Sequence, residues 1–356
     1  MITEVGIVGY KSIKRQLVKL TPLNVLIGGN GVGKSNFISI FSLIKNLYEG
    51  NLQNYIATKG GANSFLHFGS KLTKEISIGL TFDDVNRFFF DLQYAQDKLI
   101  IKNLSTSFFN KIWHDKLYQS NVLETDFSSV YRSQAYWVNP YLIGFDVYHF
   151  HDTSDNSPMK MKCNINDNIK LRRDGSNLAA FLYFLKEIHP LSFKKIEMTI
   201  TSVAPFFESF VLIPDRLNSE MIQLEWREKG NTDAYFNAFS LSDGSLRFIC
   251  LVTLLLQPNP PKTIIIDEPE LGLHPYAINK IVNLMKKLSE NNYQIIVSTQ
   301  SVTLLDNFDS DSILVADRED GQTVFKRLNK DDLSNWINDY SLGEMWEKNL
   351  IGGLPF

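Results

Sequence analysis

The chain has 356 residues, 44% of them hydrophobic and 21% charged, the composition of an ordinary globular protein with enough apolar surface for one large domain or two lobes. Its formal charge of −3, from 36 basic and 39 acidic residues, excludes a global electrostatic pull toward nucleic acid, and its 12% aromatic content excludes extensive disorder. The apolar runs Phe248–Leu256 and Thr263–Ile266 fall well short of the roughly 20 residues of a spanning helix, so no membrane insertion is expected. Met1 leads into no basic and apolar leader, which predicts a cytoplasmic protein, and Cys163 and Cys250 make neither a disulfide framework nor a zinc site.

In chain order, Ile2–Lys11 and Leu23–Ile27 read as short strands around the turn-rich Lys19–Pro22. A glycine-rich loop opens at Gly28. From Ser35 the apolar residues Phe37, Ile38, Phe41, Leu43, Ile44 and Leu47 recur at helical spacing, so strand, loop and helix follow one another. Glu75–Phe82, Arg87–Ala95 and Lys98–Leu104, separated by the turn pairs Asp83-Asp84 and Gln96-Asp97, predict an antiparallel meander. The aromatic stretch Ser105–Pro158 yields only a strand near Leu142–Phe150. Helices are expected over Leu178–Ile188 and Ser192–Val203, then strands over Phe210–Ile213 and Met221–Arg227, then a polar linker at Lys229–Asp233. The last third alternates helix Gly244–Leu256, strand Thr263–Asp267, helix Pro275–Ser289, strand Gln294–Thr299, helix Val302–Asn307 and strand Ser312–Ala316. That alternation predicts a parallel sheet covered by helices, finished by a hairpin around Glu319–Gly321 and a helix near Lys330–Asn338. The expected division is an N-terminal lobe over 1–104, a globular mixed insertion over 105–209 and a C-terminal lobe over 210–356.

Gly28 to Ser35 fits G-x-x-x-x-G-K-[ST] between an apolar strand and an amphipathic helix, the context this pattern requires. Glycines let the amides of Asn30, Gly31, Val32, Gly33, Lys34, Ser35 and Asn36 turn toward phosphate oxygens. Lys34 supplies a charge for the β- and γ-phosphates, and Ser35 a hydroxyl for Mg²⁺. Thr263–Glu268 is a buried strand ending in two carboxylates. Asp267 is expected to order Mg²⁺ with Ser35, and Glu268 to activate water as general base. ATP and Mg²⁺ are therefore the expected ligands.

Leu241-Ser242-Asp243-Gly244-Ser245 opens a helix upstream of that strand and resembles the signature of ABC-type ATPases, with Asp243 and Ser245 departing from the usual residues. In that superfamily this helix tip faces the γ-phosphate held by the other subunit. The resemblance implies that Ser242 and Gly244 contact ATP in trans and that the protein is an ATP-dependent homodimer. Pro269–Pro275 occupies the place of the D-loop, with His274 where many relatives have Asp. Gln300 stands at the strand end where many relatives place a switch His. A Gln donates a hydrogen bond to a γ-phosphate but does not titrate.

Together with Gly9–Ile13, these segments resemble RecF/SMC-like predicted ATPases of the AAA family ATPase group over nearly the whole chain. That resemblance implies an ABC-type P-loop α/β fold with a parallel core sheet, an antiparallel β lobe and an inserted helical segment. It also implies DNA-related work in repair or anti-phage defence, with a separate effector, since no nuclease constellation is visible. Two other readings stand beside it: a nucleotide-gated module that restrains a toxin, and a transporter-energising subunit, which the long interval between loop and signature disfavours. His149 and His151 share one strand face and make a weak metal pair. Lys160, Lys162, Lys170, Lys194 and Lys195 add basic charge to the insertion, diluted by acidic neighbours.

Overall fold

The computed structural model describes residues 1–329, 333 and 339–353, with the backbone alone at 232 and 233. It divides into two compact units: 1–147 with 261–265 and 289–356, and 148–260 with 266–288.

The first unit holds a parallel core sheet and an antiparallel sheet. Strand Leu23–Ile27 runs parallel to Gln294–Ser298 on one side and to Ile313–Glu319 on the other, and the antiparallel strand Gln322–Arg327 closes that edge. These strands are short apolar runs because both faces are covered: Val25, Leu26, Ile27, Ile295, Ile296 and Val297 are all fully buried. The antiparallel sheet has six strands, in the order Ile13–Lys19, Ile2–Tyr10, Glu75–Phe82, Asn86–Ala95, Lys98–Asn110 and Ile112–Gln119. Its alternation buries Ile76, Ile78 and Leu80 on one face and leaves Ser77 and Gly79 half-buried on the other. Helix Lys34–Tyr48 packs its apolar stripe, including Phe37, Phe41 and Ile44, into the core between them, with Phe41 edge-on to Phe145 at 5.5 Å.

The second unit is built around helix Asp243–Leu256, buried continuously from Phe248 to Leu255 and therefore central, against which helix Pro190–Val203 packs. A three-stranded antiparallel sheet in the order Phe207–Val211, Glu225–Glu228, Asn231–Asn237 carries an aromatic stack of Phe207 on Trp226. Helices Leu178–Ile188 and Pro275–Glu290, the latter as far as Leu288, complete it.

The structure corrects several expectations. A strand at Ile13–Lys19 pairs antiparallel with Ile2–Tyr10; its exposed Lys14, Arg15, Leu17 and Lys19 blur the alternation, as suits a charged edge strand. The meander runs on to Asn110 and turns at Lys111 (φ 64°) into Ile112–Gln119. Of the strand expected near Leu142–Phe150 only Val147–Tyr148 pairs; Leu142 instead ends a helix, Ala135–Leu142, that the sequence did not announce and that has Pro140 inside it. The polar linker at Lys229–Asp233 is mostly strand, since Asn231 already pairs with Glu228. The helix expected near Lys330–Asn338 lies outside the described residues apart from Leu333. Among the described residues no helix is long and apolar enough to cross a membrane.

Candidate active site

In the first unit, strand Leu23–Ile27 delivers the chain into the glycine loop and helix Lys34–Tyr48 takes it away. Gly33 has φ 117°, and a Cβ there would collide with the Thr323 hydroxyl. That hydroxyl donates to the Val32 carbonyl (2.6 Å) and lies 2.7 Å from Ser12 Oγ, which also accepts from Asn36 Nδ2 (2.7 Å). The loop is thus braced by two hydroxyls, one from the turn at Lys11 and Ser12 and one from strand Gln322–Arg327. Gly29 N–H donates to the Gly353 carbonyl, a further prop.

Lys34 is only 6% exposed, and its ammonium donates to the carbonyls of Gly28 and Gly29, the latter at 3.1 Å. The helix begins at Gly33 with no side-chain cap and no acidic residue in its first turn, so its amide donors and dipole are unopposed by side chains. A buried cation beside an uncapped helix N-terminus fits a polyphosphate. Asn30, Gly31 and Ser35 are exposed, while Val32 is buried and anchors the loop. The hydroxyl of Ser35 is an oxygen donor suited to a hard cation such as Mg²⁺. Gln300 emerges exposed after Gln294–Ser298, where Thr299 N–H donates to Leu26 O (3.0 Å). Its neighbour Ser301 caps the next helix. Beside the loop, Lys11 donates to Ser39 Oγ on the loop's helix (2.9 Å). Burial, with Lys59 adding repulsion, pulls its ammonium down to about 8.

The second unit carries the carboxylates and the signature. Asp267 ends strand Thr263–Asp267, and Glu268 follows it with φ 45°, a left-handed conformation that a glutamate seldom adopts and that concentrates at functional positions. His151 Nε2 is 2.9 Å from the Asp267 carbonyl, and His149 Nδ1 is 3.6 Å from Asp267 Oδ2. Both histidines noted in the sequence therefore converge on the strand's acidic end. Among the described residues no cluster of three or more His, Cys, Asp or Glu is arranged to hold a metal by itself.

Ser242 is exposed and caps helix Asp243–Leu256, accepting from Ser245 N–H (3.2 Å). Gly244 packs so tightly on the D-loop that a Cβ would collide with Gly272 O. Arg247, unmarked by any motif, is the tie the sequence reading missed. Its guanidinium donates to the carbonyls of Phe150 (3.1 Å), His151 (2.8 Å) and Leu271 (3.1 Å) and to Thr153 Oγ1 (3.2 Å). It joins the signature helix to the D-loop and to the histidine segment; its only sequence signal is an arginine one turn past the signature. The structure thus gathers Asn30 to Asn36 and Gln300 in the first unit and Asp267, Glu268, Ser242 and Gly244 in the second. Of the basic residues of the insertion, Lys160 is 4% exposed and Lys162 pairs with Asp215, whereas Lys170, Lys194 and Lys195 are exposed.

Phosphate loop, parallel sheet, acidic strand end and exposed signature tip define an ABC-type, SMC-like ATPase fold. The chain belongs to the family described as "AAA domain, putative AbiEii toxin, Type IV TA system", whose profile matches residues 23–306. The fold is similar to that of an Smc head solved bound to the C-winged helix domain of ScpA, with TM-score 0.60 and 16% identity over 93% of this chain and 98% of that one. In sequence it is similar to the Old nuclease of Escherichia phage P2, 55% identical over 42 residues, and to UvrABC system protein A of Mycoplasmopsis pulmonis (strain UAB CTIP), 24% identical over 116 residues. Those matches cover 12% and 32% of this chain and only 7% and 12% of the respective relatives.

Proposed function

We propose that the protein binds and hydrolyses MgATP and that two copies close on the nucleotide. The observation that carries the reading is the buried Lys34 ammonium, held on loop carbonyls beside a helix N-terminus that no side chain caps. In this reading the amides of Asn30 to Asn36 and Lys34 hold the triphosphate, and Ser35 and Asp267 are the oxygen donors for Mg²⁺. When bound, that ion supplies charge neutralisation on the phosphate oxygens. Glu268 takes a proton from the water that attacks the γ-phosphorus as the bond to the bridging oxygen breaks, and Gln300 donates to the γ-phosphate. Ser242 and Gly244 of a second copy complete the site, a role supported by the exposure of that helix tip.

In this reading the cycle is coupled to DNA in repair or defence, in the cytoplasm and with a separate effector; the short matches to the Old nuclease and UvrABC system protein A support the link to DNA. A second reading, a nucleotide-gated element of a toxin–antitoxin pair, is favoured by the family description. The deciding experiment is light scattering of Glu268→Gln at saturating MgATP, with and without duplex DNA. An ATP-dependent doubling of mass supports the trans site, and a monomer overturns it. ATP turnover by the unmodified protein that rises with DNA supports the first reading; turnover indifferent to DNA supports the second.

A further inference from the structure

The loop that follows the first two helices carries a feature that packing does not explain. Phe68 has φ 55° in a turn that Gly69 N–H closes onto Leu66 O (3.0 Å), a conformation that favours glycine or asparagine and is an outlier for a bulky aromatic. The ring gains no burial from it, being 57% exposed, whereas its neighbour His67 is 5% exposed. Strain with an exposed aromatic as its result points to a use outside the fold.

Its surroundings say which use. A Cβ on Gly321 would touch Phe68 Cζ at 3.4 Å, so the ring lies against the tip of the hairpin whose next residues include Thr323, the brace of the phosphate loop. The ring and that brace are thus two residues apart on one hairpin, roughly 7 Å along the strand. From behind, His67 Nδ1 lies 2.8 Å from Lys11 O, and the two rings are 4.3 Å apart at 49°, which holds the aromatic pair to the turn bearing Lys11 and Ser12. All these residues belong to the first unit.

We propose that Phe68 is the stacking platform for the base of the nucleoside triphosphate whose phosphates occupy the glycine loop. The inference rests on the nucleotide reading above and adds the position of the base. Stacking on an aromatic face is tolerant of base identity, so the site accepts adenine and guanine nucleotides alike.

The test is calorimetric titration of the full chain, wild type, Phe68→Ala and Phe68→Trp, with MgATP, MgGTP and magnesium tripolyphosphate, which has the phosphates and no base. Phe68→Ala weakens ATP and GTP by about tenfold or more and leaves tripolyphosphate within about twofold. Phe68→Trp restores nucleotide affinity and adds a fluorescence signal quenched by ATP and not by tripolyphosphate. Equal losses for ATP and tripolyphosphate in Phe68→Ala, or none for either, overturn the platform. A wild-type chain that binds neither ligand overturns the nucleotide reading itself.

Discussion

The two units treat their key groups in opposite ways. In the first, the loop is braced from within: Thr323 and Gly353 hold its backbone, Ser12 holds Thr323 and Asn36, and the Lys34 ammonium donates to the carbonyls of Gly28 and Gly29. In the second, the corresponding segments are joined by side chains from elsewhere in the unit, Arg247 above all, and Ser242 is exposed. In the nucleotide reading proposed above, the first arrangement is a polyphosphate cradle whose donors are fixed by backbone and whose cost is already met in folding. The second has a geometry braced by Arg247 and an exposed helix tip, which the proposed trans site would use to complete the site of another copy. Binding and turnover should therefore separate genetically along the division between the units.

The largest effect expected on that division is Glu268→Gln. Loss of the general base slows ATP hydrolysis by about 10²- to 10⁴-fold while ATP affinity, a property of the first unit, holds; a parallel loss of affinity in a filter-binding or calorimetric assay would break the comparison. Lys34→Ala acts from the other side. It removes charge-assisted hydrogen bonds to phosphate and weakens MgATP by about 100-fold, measured by the same titration, with the second unit's folding untouched. Arg247→Lys is subtler. A lysine ammonium cannot fork to the carbonyls of Phe150, His151 and Leu271 together, so thermal unfolding shows a loss of about 1–2 kcal/mol, and turnover falls at unchanged ATP affinity. If Arg247→Lys weakened ATP binding as much as Lys34→Ala does, the division of labour would be wrong.

The phosphate loop and the alternating last third were legible because their signals are local. A glycine pattern between strand and helix, and apolar runs such as Thr263–Ile266, need no tertiary information. Leu178–Ile188 and Thr263–Asp267 form with the expected bounds for that reason. What escaped was non-local. Edge strand Ile13–Lys19 is specified by its partner Ile2–Tyr10 rather than by its own alternation. Helix Ala135–Leu142 is hidden by an internal proline. Arg247, Ser12 and Thr323 act through residues far away in sequence, and Phe68 is informative only once its backbone angle and exposure are known.

The smallest effect tests whether the first unit's cradle is as rigidly preformed as the comparison requires. Lys11 is half-buried against Ser39, and its amine is held at about 8 against an unfolded value near 10.5. Below pH 8 both states carry the proton and the group contributes nothing that varies with pH. Between these values the unfolded chain binds more protons than the folded one, so stability rises with pH and the full contribution is present only above the unfolded value. Urea unfolding at pH 7.5 and 9.5 should show the wild type gaining, relative to Lys11→Met, on the order of 1–2 kcal/mol. A turn that opened readily would hydrate the amine and return its ionisation to the ordinary range. An identical pH dependence in wild type and Lys11→Met would therefore mean that the wall of the phosphate site beside Ser12 is loose, and that the contrast between a fixed first unit and an arginine-tied second one does not hold.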